Sequence, residues 1–556
     1  MKKQIRYIIL VVSVFLVTSC GTSNSMHHQP DLTAYDKSLP TVKKQSNTVF
    51  YSGNNFLLKN KQNLWELYVE GDPLERGLMI GSLSDSLLKK QEYVFFDKIN
   101  QIVPSNFKKQ VLRNFLKWYN RKLYLNVANE YQSEIFGISR YAPKDLDYIA
   151  PNFLRDLYLH GAHDIGHAVQ DLALVGCTSF AVWGDKSEDG SLILGRNFDF
   201  YAGDAFAKDK IVTFIKPKEG HPFMMVTWPG MIGVCSGMNM EGLTVTINAG
   251  KSKIPLVAKT PISILTREII QYASTIDEAV EIAKSKKVFV SESIMVGSAK
   301  DNKAVLIEIA PDRLEVFEVN DGNELICSNH FQSEGLKNNE RNLKQIKDSH
   351  SQYRFDRMTQ LLDKSPKITP QIAVDILRNK DGLNDLPLGY GNEKAINQLL
   401  SHHGIVFKPA QLLVWVSANP YQMGEFVCYD LNTVFKYRKQ NDSIVSLEDE
   451  KLNIAKDPFL ETTQYKNYEL FRIEDRKMDI FLENKKELPE NFIANYQSLN
   501  PDYWVVYNKV GVYYYQKGEY ALAQEQFNKA LTKEITTLPQ KEAIEKYLKK
   551  IKRKLQ

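Results

Sequence analysis

Residues 176–199 read GCTSFAVWGDKSEDGSLILGRNFD. Two β-rich runs, CTSFAVWG and SLILGRNF, stand on either side of an Asp189-Gly190 turn, the signature of neighbouring strands in a sheet. Cys177, one of five cysteines in 556 residues, sits behind Gly176 at the mouth of the first run. A thiol so placed is either a small core residue or a nucleophile. The second run ends in Gly195-Arg196-Asn197-Phe198-Asp199, which puts a cation and a carboxylate on the strand after the cysteine.

Downstream the same texture continues through IVTFIKP, FMMVTWPG, GVCSGMN and LTVTINAG, each a short strand-like run closed by a turn. TPISILTREIIQYASTIDEAVEIAKS reads as two helices, after which ESIMVGSA, KAVLIEIAP and RLEVFEV resume strand character. Helical SQYRFDRMTQLLDKS and TPQIAVDILRNK precede closing strands in LLVWVSAN and GEFVCYDL. Strands grouped in sets, with helices also in sets, imply a layered α+β domain with a largely antiparallel sheet. Upstream, structure is expected to start near NLWELYVEGD and to be mostly helical from there to about Val175. At the other end, Gly511, Tyr514, Ala523, Phe527 and Ala530 have the spacing of one tetratricopeptide repeat, followed by a capping helix KEAIEKYLKKIKRKL. A single repeat does not stand alone, so it is expected to pack on the main body.

The first residues, MKKQIRYIILVVSVFLVTSC, combine a basic start with an apolar run too short to serve as a spanning helix. They resemble a bacterial lipoprotein signal, with Val17-Thr18-Ser19-Cys20 as lipobox and Cys20 as the acylated residue. Residues 1–19 are then a signal peptide, and polar residues 20–60, including His27 and His28, a tether. This predicts an extracytoplasmic, membrane-anchored lipoprotein. The composition, 43% hydrophobic and 25% charged, is that of a soluble globular body. The net charge of +5 is too small to imply a nucleic-acid partner. Export permits disulfides, yet Cys235, Cys327 and Cys428 show no CxxC or metal-ligand spacing and are expected as buried free thiols in strands.

For Cys177 to attack an amide it needs a base, oxyanion donors and a fixed position. A new α-amine, titrating near pH 8, can serve as that base if the cysteine becomes an N-terminus. Glycine at 176 suits such a route, since it tolerates the strained backbone that attack on its carbonyl requires. The run GCTSFAVWGDKSEDGSLILGRNFDF resembles the start of the mature β-chain in the penicillin acyltransferase family of autoproteolytic N-terminal-nucleophile (Ntn) hydrolases, relatives of choloylglycine hydrolases. The resemblance extends from about Leu64 to about Asn432 and takes in GMNMEGLTVTINAG, CSNHF, YRFDR and HHGIVFKP.

That resemblance implies a four-layer αββα sandwich with a helical N-terminal pro-region and a small helical C-terminal segment. The expected parts are an α-chain or pro-region at 61–176, the hydrolase core at 177–440, a linker or helical extension at 441–495 and the tetratricopeptide-like segment at 496–556. It further implies self-cleavage between Gly176 and Cys177, with Cys177 as nucleophile and, through its new amine, as base. Asp199 would orient the amine, and Arg196 would lower the thiol pKa. Asn248 would be an oxyanion donor, Asn329 would bond near the amine, and Arg354, in preference to Arg357, would complete the polar shell. No cofactor is implied. The expected reaction is cleavage of a small-molecule linear N-acyl amide through a thioester, ending in hydrolysis or, with an amine acceptor, in acyl transfer.

Two other readings stay open on the residues. His160, His163 and His167 recur on one helical face and could hold zinc, although no HExxH pattern is present. The core could also be inactive, leaving a membrane-tethered scaffold whose tail recruits a protein partner.

Overall fold

The computed structural model describes residues 22–161, 164, 176–200, 203–252, 257–438 and 443–556. The signal peptide, Cys20, His163 and His167 lie outside the described residues. Among those described, no helix is long and apolar enough to cross a membrane.

Among the described residues, four strands precede the cysteine: β1 (Lys43–Ser46), β2 (Val49–Ser52), β3 (Asn55–Lys59) and β4 (Trp65–Gly71). β5 (Thr178–Val182) and β6 (Ile193–Phe198) follow it, then β7 (Ile211–Pro217), β8 (Phe223–Thr227), β9 (Ser236–Asn239) and β10 (Leu243–Ala249). β11 (Glu292–Ser298), β12 (Lys303–Ala310) and β13 (Arg313–Phe317) come next. β14 (Glu324–Cys327), β15 (His403–Lys408), β16 (Leu413–Ser417) and β17 (Phe426–Asp430) complete the set. They form an eleven-stranded sheet, β1-β2-β3-β4-β7-β8-β9-β10-β11-β12-β13, and a six-stranded sheet, β14-β5-β6-β15-β16-β17. All ladders are antiparallel except β4 with β7.

Alternation of side chains along these strands builds the layers. In β10, Leu243, Val245 and Ile247 pack against the helices Ile262–Tyr272, Ile276–Ser285 and Asn129–Ser139. From the other face of the large sheet, Phe214, Met224, Met295 and Leu306 meet Ala181, Leu194, Ile405 and Val414 of the small one. The outer face of the small sheet, with Phe180, Val182 and Val406, is covered by Met358 and Leu362 of the helix Ser351–Asp363 and by Val374 and Leu377 of the helix Pro370–Leu377. The result is the expected α+β four-layer order: helix, sheet, sheet, helix. On the helical side Glu134 is fully buried between two arginines, accepting from Arg76 Nη2 at 2.7 Å and Arg267 Nη2 at 3.1 Å.

The tether expected over residues 20–60 is corrected: residues 43–59 form β1, β2 and β3, which extend the edge of the large sheet. Phe56, Leu57 and Leu58 are buried there, whereas every residue of β1 is exposed, so the polar edge masks the apolar strand behind it. His28 is likewise docked, its ring 4.1 Å from that of Tyr124 and its Nε2 2.6 Å from Gln132 Oε1. Nor is the start of the 441–495 stretch a free linker. Buried Glu66 on β4 accepts from Ser446 Oγ and from the Leu447 N–H, tying this return segment to the sheet.

The C-terminal helices Thr463–Asn484, Phe492–Leu499, Trp504–Lys517, Tyr520–Leu531 and Leu538–Leu555 share one apolar core. In it Ala523, Phe527 and Ala530 are fully buried, and Gly511 lets the Phe527 ring approach the neighbouring helix. This unit sits on the body: Leu399 and Met423 of the small-sheet region enter its core, and Asn392 Nδ2 donates to the Glu534 carbonyl at 2.9 Å.

Candidate active site

The pleat decides which side chains meet around Cys177. In β6, Leu194 and Arg196 face the large sheet, while Ile193 and Asn197 face the covering helices. In β5, Ser179 reaches Asn248 of the large sheet, while Phe180 lies on the helix side. Cys177, two positions before Ser179, therefore enters the gap between the sheets, where it is 1% exposed.

Arg196 Nη2 lies 3.6 Å from Cys177 Sγ. The same guanidinium donates to the carbonyls of Cys235 and Ile247 and to Ser236 Oγ, and it covers the Phe198 ring at 4.2 Å. Its position is therefore fixed by the large sheet. Burial nevertheless pushes the Cys177 thiol above its ordinary range, against the pull of Arg196 and Arg354. The expected lowering by Arg196 is thus outweighed in the continuous chain.

Asp199 ends the same run and is fully buried, yet among the described residues neither carboxylate oxygen has a hydrogen-bond partner. Gln422 is close enough to draw its pKa down but makes no bond of acceptable geometry with it. Burial, partly offset by Arg354 and Arg196, raises the Asp199 carboxyl to about 7. A buried carboxylate without donors is costly, so this group is poised for a cation or a donor that the described residues do not supply.

Arg354, on the helix Ser351–Asp363, is also fully buried. Its Nη1 donates to the Cys177 carbonyl at 2.7 Å and to Thr178 Oγ1, and its Nη2 donates to Asn329 Oδ1 at 2.7 Å. Asn329 Nδ2 in turn donates to the Ala249 carbonyl at 3.1 Å. Arg357 turns away, toward Asn379 and Asp385. Asn248 is close by, but its Nδ2 donates to the carbonyls of Cys327 at 3.1 Å and Ser328 at 3.3 Å, and its Oδ1 accepts from Ser179 Oγ. Both amide protons are committed to backbone, so Asn248 offers an oxyanion donor only by exchanging one of them.

Cys177, Arg196, Asp199, Asn248, Asn329 and Arg354 are therefore brought to one buried locus. Sequence reasoning missed others there. His403 Nε2 is 2.9 Å from Ser236 Oγ and its Nδ1 2.8 Å from His402 Nδ1, so a hydrogen-bonded chain runs from this pair through Ser236 to Arg196. The adjacent histidines of HHGIVFKP were the available signal. Gln398 Nε2 donates to the Gly176 carbonyl at 2.9 Å, and no sequence pattern marks it.

His160 is not free for a metal. Its Nδ1 donates to the Asp156 carbonyl at 2.7 Å and its Nε2 accepts from the Ile232 N–H at 3.0 Å, while burial lowers its pKa to about 4. Cys235, Cys327 and Cys428 are buried free thiols; Cys327 and Cys428 lie in β14 and β17 as expected, whereas Cys235 lies just before β9, outside a strand.

A small apolar cleft, part of it open to solvent, adjoins this region. Leu88, Phe95, Phe200, Phe206, Trp228 and Met231 line it. Phe200 stacks on Trp228 at 6.0 Å and on Phe198 at 5.9 Å, so aromatic rings run from the Arg196 guanidinium to the cleft wall.

The chain resembles known proteins over part of its length. It is 26% identical over 272 residues to an uncharacterized protein of Archaeoglobus fulgidus, covering 45% of this chain and 44% of that one. It is 23% identical over 155 residues to Protein dcd1B of Dictyostelium discoideum, covering 27% and 31%. The chain thus matches less than half the length of these curated relatives. Among solved structures, a Caenorhabditis elegans ortholog of N-acylethanolamine-hydrolyzing acid amidase aligns at 19% identity and a TM-score of 0.32, over 42% of this chain and 93% of that one. A mutant conjugated bile acid hydrolase from Clostridium perfringens aligns at 15% and 0.32, over 49% and 99%. Residues 186–417, which carry Arg196, Asp199, Asn248, Asn329 and Arg354 and begin just after Cys177, match the family model of acyl-coenzyme A:6-aminopenicillanic acid acyl-transferase.

Proposed function

We propose that this chain is an Ntn cysteine amidohydrolase that cuts itself between Gly176 and Cys177 and then cleaves linear N-acyl amides. The observation that carries this reading is the buried Asp199 carboxylate, without a hydrogen-bond partner among the described residues, beside a thiol that Arg196 approaches to 3.6 Å. Self-cleavage turns the Cys177 nitrogen into an amine, and an ammonium there supplies the missing partner of Asp199.

In the processed enzyme the amine takes the thiol proton and the thiolate attacks the amide carbon. The ammonium then protonates the leaving nitrogen as the carbon–nitrogen bond breaks, leaving a thioester on Sγ. Water attacks the thioester carbon, and carboxylate and thiol are released. Arg354 and Asn329 hold the backbone at Cys177, and Arg196 stays beside the sulfur to stabilise its anionic form. The apolar cleft suits an aliphatic or aromatic acyl group. Acyl transfer to an amine uses the same thioester, and the description of the matched family favours testing it. Anchoring through Cys20 would present the enzyme to amphipathic substrates, and the C-terminal helices offer a surface for a protein partner.

The test is a denaturing gel with N-terminal sequencing of the purified protein, followed by assays on N-acyl amides with and without an added amine. Two fragments, one starting Cys-Thr-Ser-Phe, and an amidase activity lost in Cys177→Ala are expected. An intact chain that is inactive on every N-acyl amide overturns the proposal.

A further inference from the structure

The carbonyl of Gly176 is where negative charge develops when the Cys177 thiol attacks it, and self-cleavage needs a donor at that oxygen. Asn248 is committed to the Cys327 and Ser328 carbonyls, and Arg196 to the sulfur and the large sheet. Arg354 bonds the next carbonyl along, that of Cys177. Among the described residues, the side chain that donates to the Gly176 oxygen is Gln398, 222 positions away, at 2.9 Å. The Gly176 N–H is held by the Asp199 carbonyl at 3.3 Å. A Cβ at position 176 would lie 2.1 Å from Gln398 Nε2, so a side chain there would push the Gln398 amide off the carbonyl.

Gln398 is itself buried and its loop is held from both sides. Asn397 Oδ1 accepts from the Leu399 N–H at 2.9 Å, and Asn397 Nδ2 reaches Met423 Sδ at 3.1 Å. Leu399 has φ of 53°, a left-handed conformation that a branched side chain rarely adopts unless its surroundings enforce it. Those surroundings are the C-terminal helices, whose core encloses the Leu399 side chain and whose Tyr468 Oη donates to its carbonyl at 3.2 Å.

We propose that Gln398 is the oxyanion donor for self-cleavage, held on the scissile carbonyl by a loop that the C-terminal helical unit fixes in place. The inference rests on the self-cleavage reading above. In the step it serves, Cys177 Sγ bonds to the Gly176 carbonyl carbon and the π electrons move onto the oxygen facing Gln398 Nε2. The Gly176–Cys177 bond then breaks, the thiol proton passes to the Cys177 nitrogen, and a thioester forms. Water cleaves the thioester, giving the Gly176 carboxyl group and restoring the thiol.

The experiment follows self-cleavage of the full-length chain by gel and mass spectrometry in wild type, Gln398→Ala and Gln398→Glu, with circular dichroism melts of each. Loss of one oxyanion donor predicts cleavage about 100-fold slower in Gln398→Ala. Gln398→Glu keeps the shape but donates only when protonated, so its rate relative to wild type should rise as the pH is lowered from 8 to 5. A purely steric role would leave that ratio flat. Wild-type cleavage rates in both variants, or a flat ratio in a folded Gln398→Glu, overturn the assignment while leaving self-cleavage standing. A wild-type chain that never cuts overturns both.

Discussion

Asp199 should make the stability of the uncut chain depend on pH in a calculable way. The chain is kept continuous by Cys177→Ala, and Asp199→Asn is added to it. In the uncut fold the carboxyl sits at about 7 instead of 3.8, because burial disfavours its charge more than Arg354 and Arg196 favour it. The folded state then holds a proton that the unfolded state has already released. Its contribution is fully present below the unfolded value near pH 4 and is lost as pH rises through about 7. The difference corresponds to about 4 kcal/mol in all, or about 1.4 kcal/mol per pH unit between those limits. Asparagine cannot titrate, so the double variant gains on the single one by that amount as pH rises from 4 to 8. Urea unfolding followed by tryptophan fluorescence, run on both chains in parallel, isolates this group because every other titration is common to both. A stability difference that stays constant across the range would refute the reasoning. In the self-cleaved wild type the new ammonium favours the charged carboxylate, and the Asp199 slope should shrink.

Two further outcomes can be checked directly. Trp228→Ala removes one wall of the apolar cleft, where Trp228 stacks on Phe200 at 6.0 Å, and should lower kcat/KM about 10-fold or more for long acyl chains while sparing short ones. A series of acyl lengths checks this, and equal loss for all of them would remove the cleft from acyl recognition. Gly511→Val drives a Cβ to 2.8 Å from the Phe527 ring and should destabilise the C-terminal unit by about 1–3 kcal/mol. Faster limited proteolysis confined to residues beyond Thr463 is the expected sign.

The parts of this molecule that were legible in the sequence are those whose physics is local. LTVTINAG alternates visibly because Leu243, Val245 and Ile247 face the helices while Thr244, Thr246 and Asn248 face the other way, and Cys177, Arg196 and Asp199 lie within a single hairpin. The first three strands were not legible. Each is four or five residues long, and the fully exposed β1 gives its stretch the composition of a tether although β3 is buried. β15 was hidden because Ile405, Val406 and Phe407 are consecutive apolar residues divided between the two cores, so the strand shows no alternation. The fate of the Asn248 amide could not be foreseen either, because its acceptors, the Cys327 and Ser328 carbonyls, come from β14 and the turn after it.

Gln398 is the extreme case, and it changes what the glycine before the nucleophile means. From the sequence, Gly176 is explained by conformational freedom for attack on its carbonyl. In the fold, a side chain at that residue would displace the Gln398 amide, the donor that would polarise the carbonyl. The two explanations separate experimentally. If only backbone freedom mattered, shrinking Gln398 would leave Gly176→Ala as slow as before. If the close approach matters, Gln398→Ala relieves the clash in Gly176→Ala, while the donor it removed is still missing. The Gly176→Ala/Gln398→Ala chain should therefore regain the wild-type melting temperature without regaining the wild-type rate of self-cleavage. Such a split between folding and rate is what an oxyanion donor predicts and what a packing residue does not.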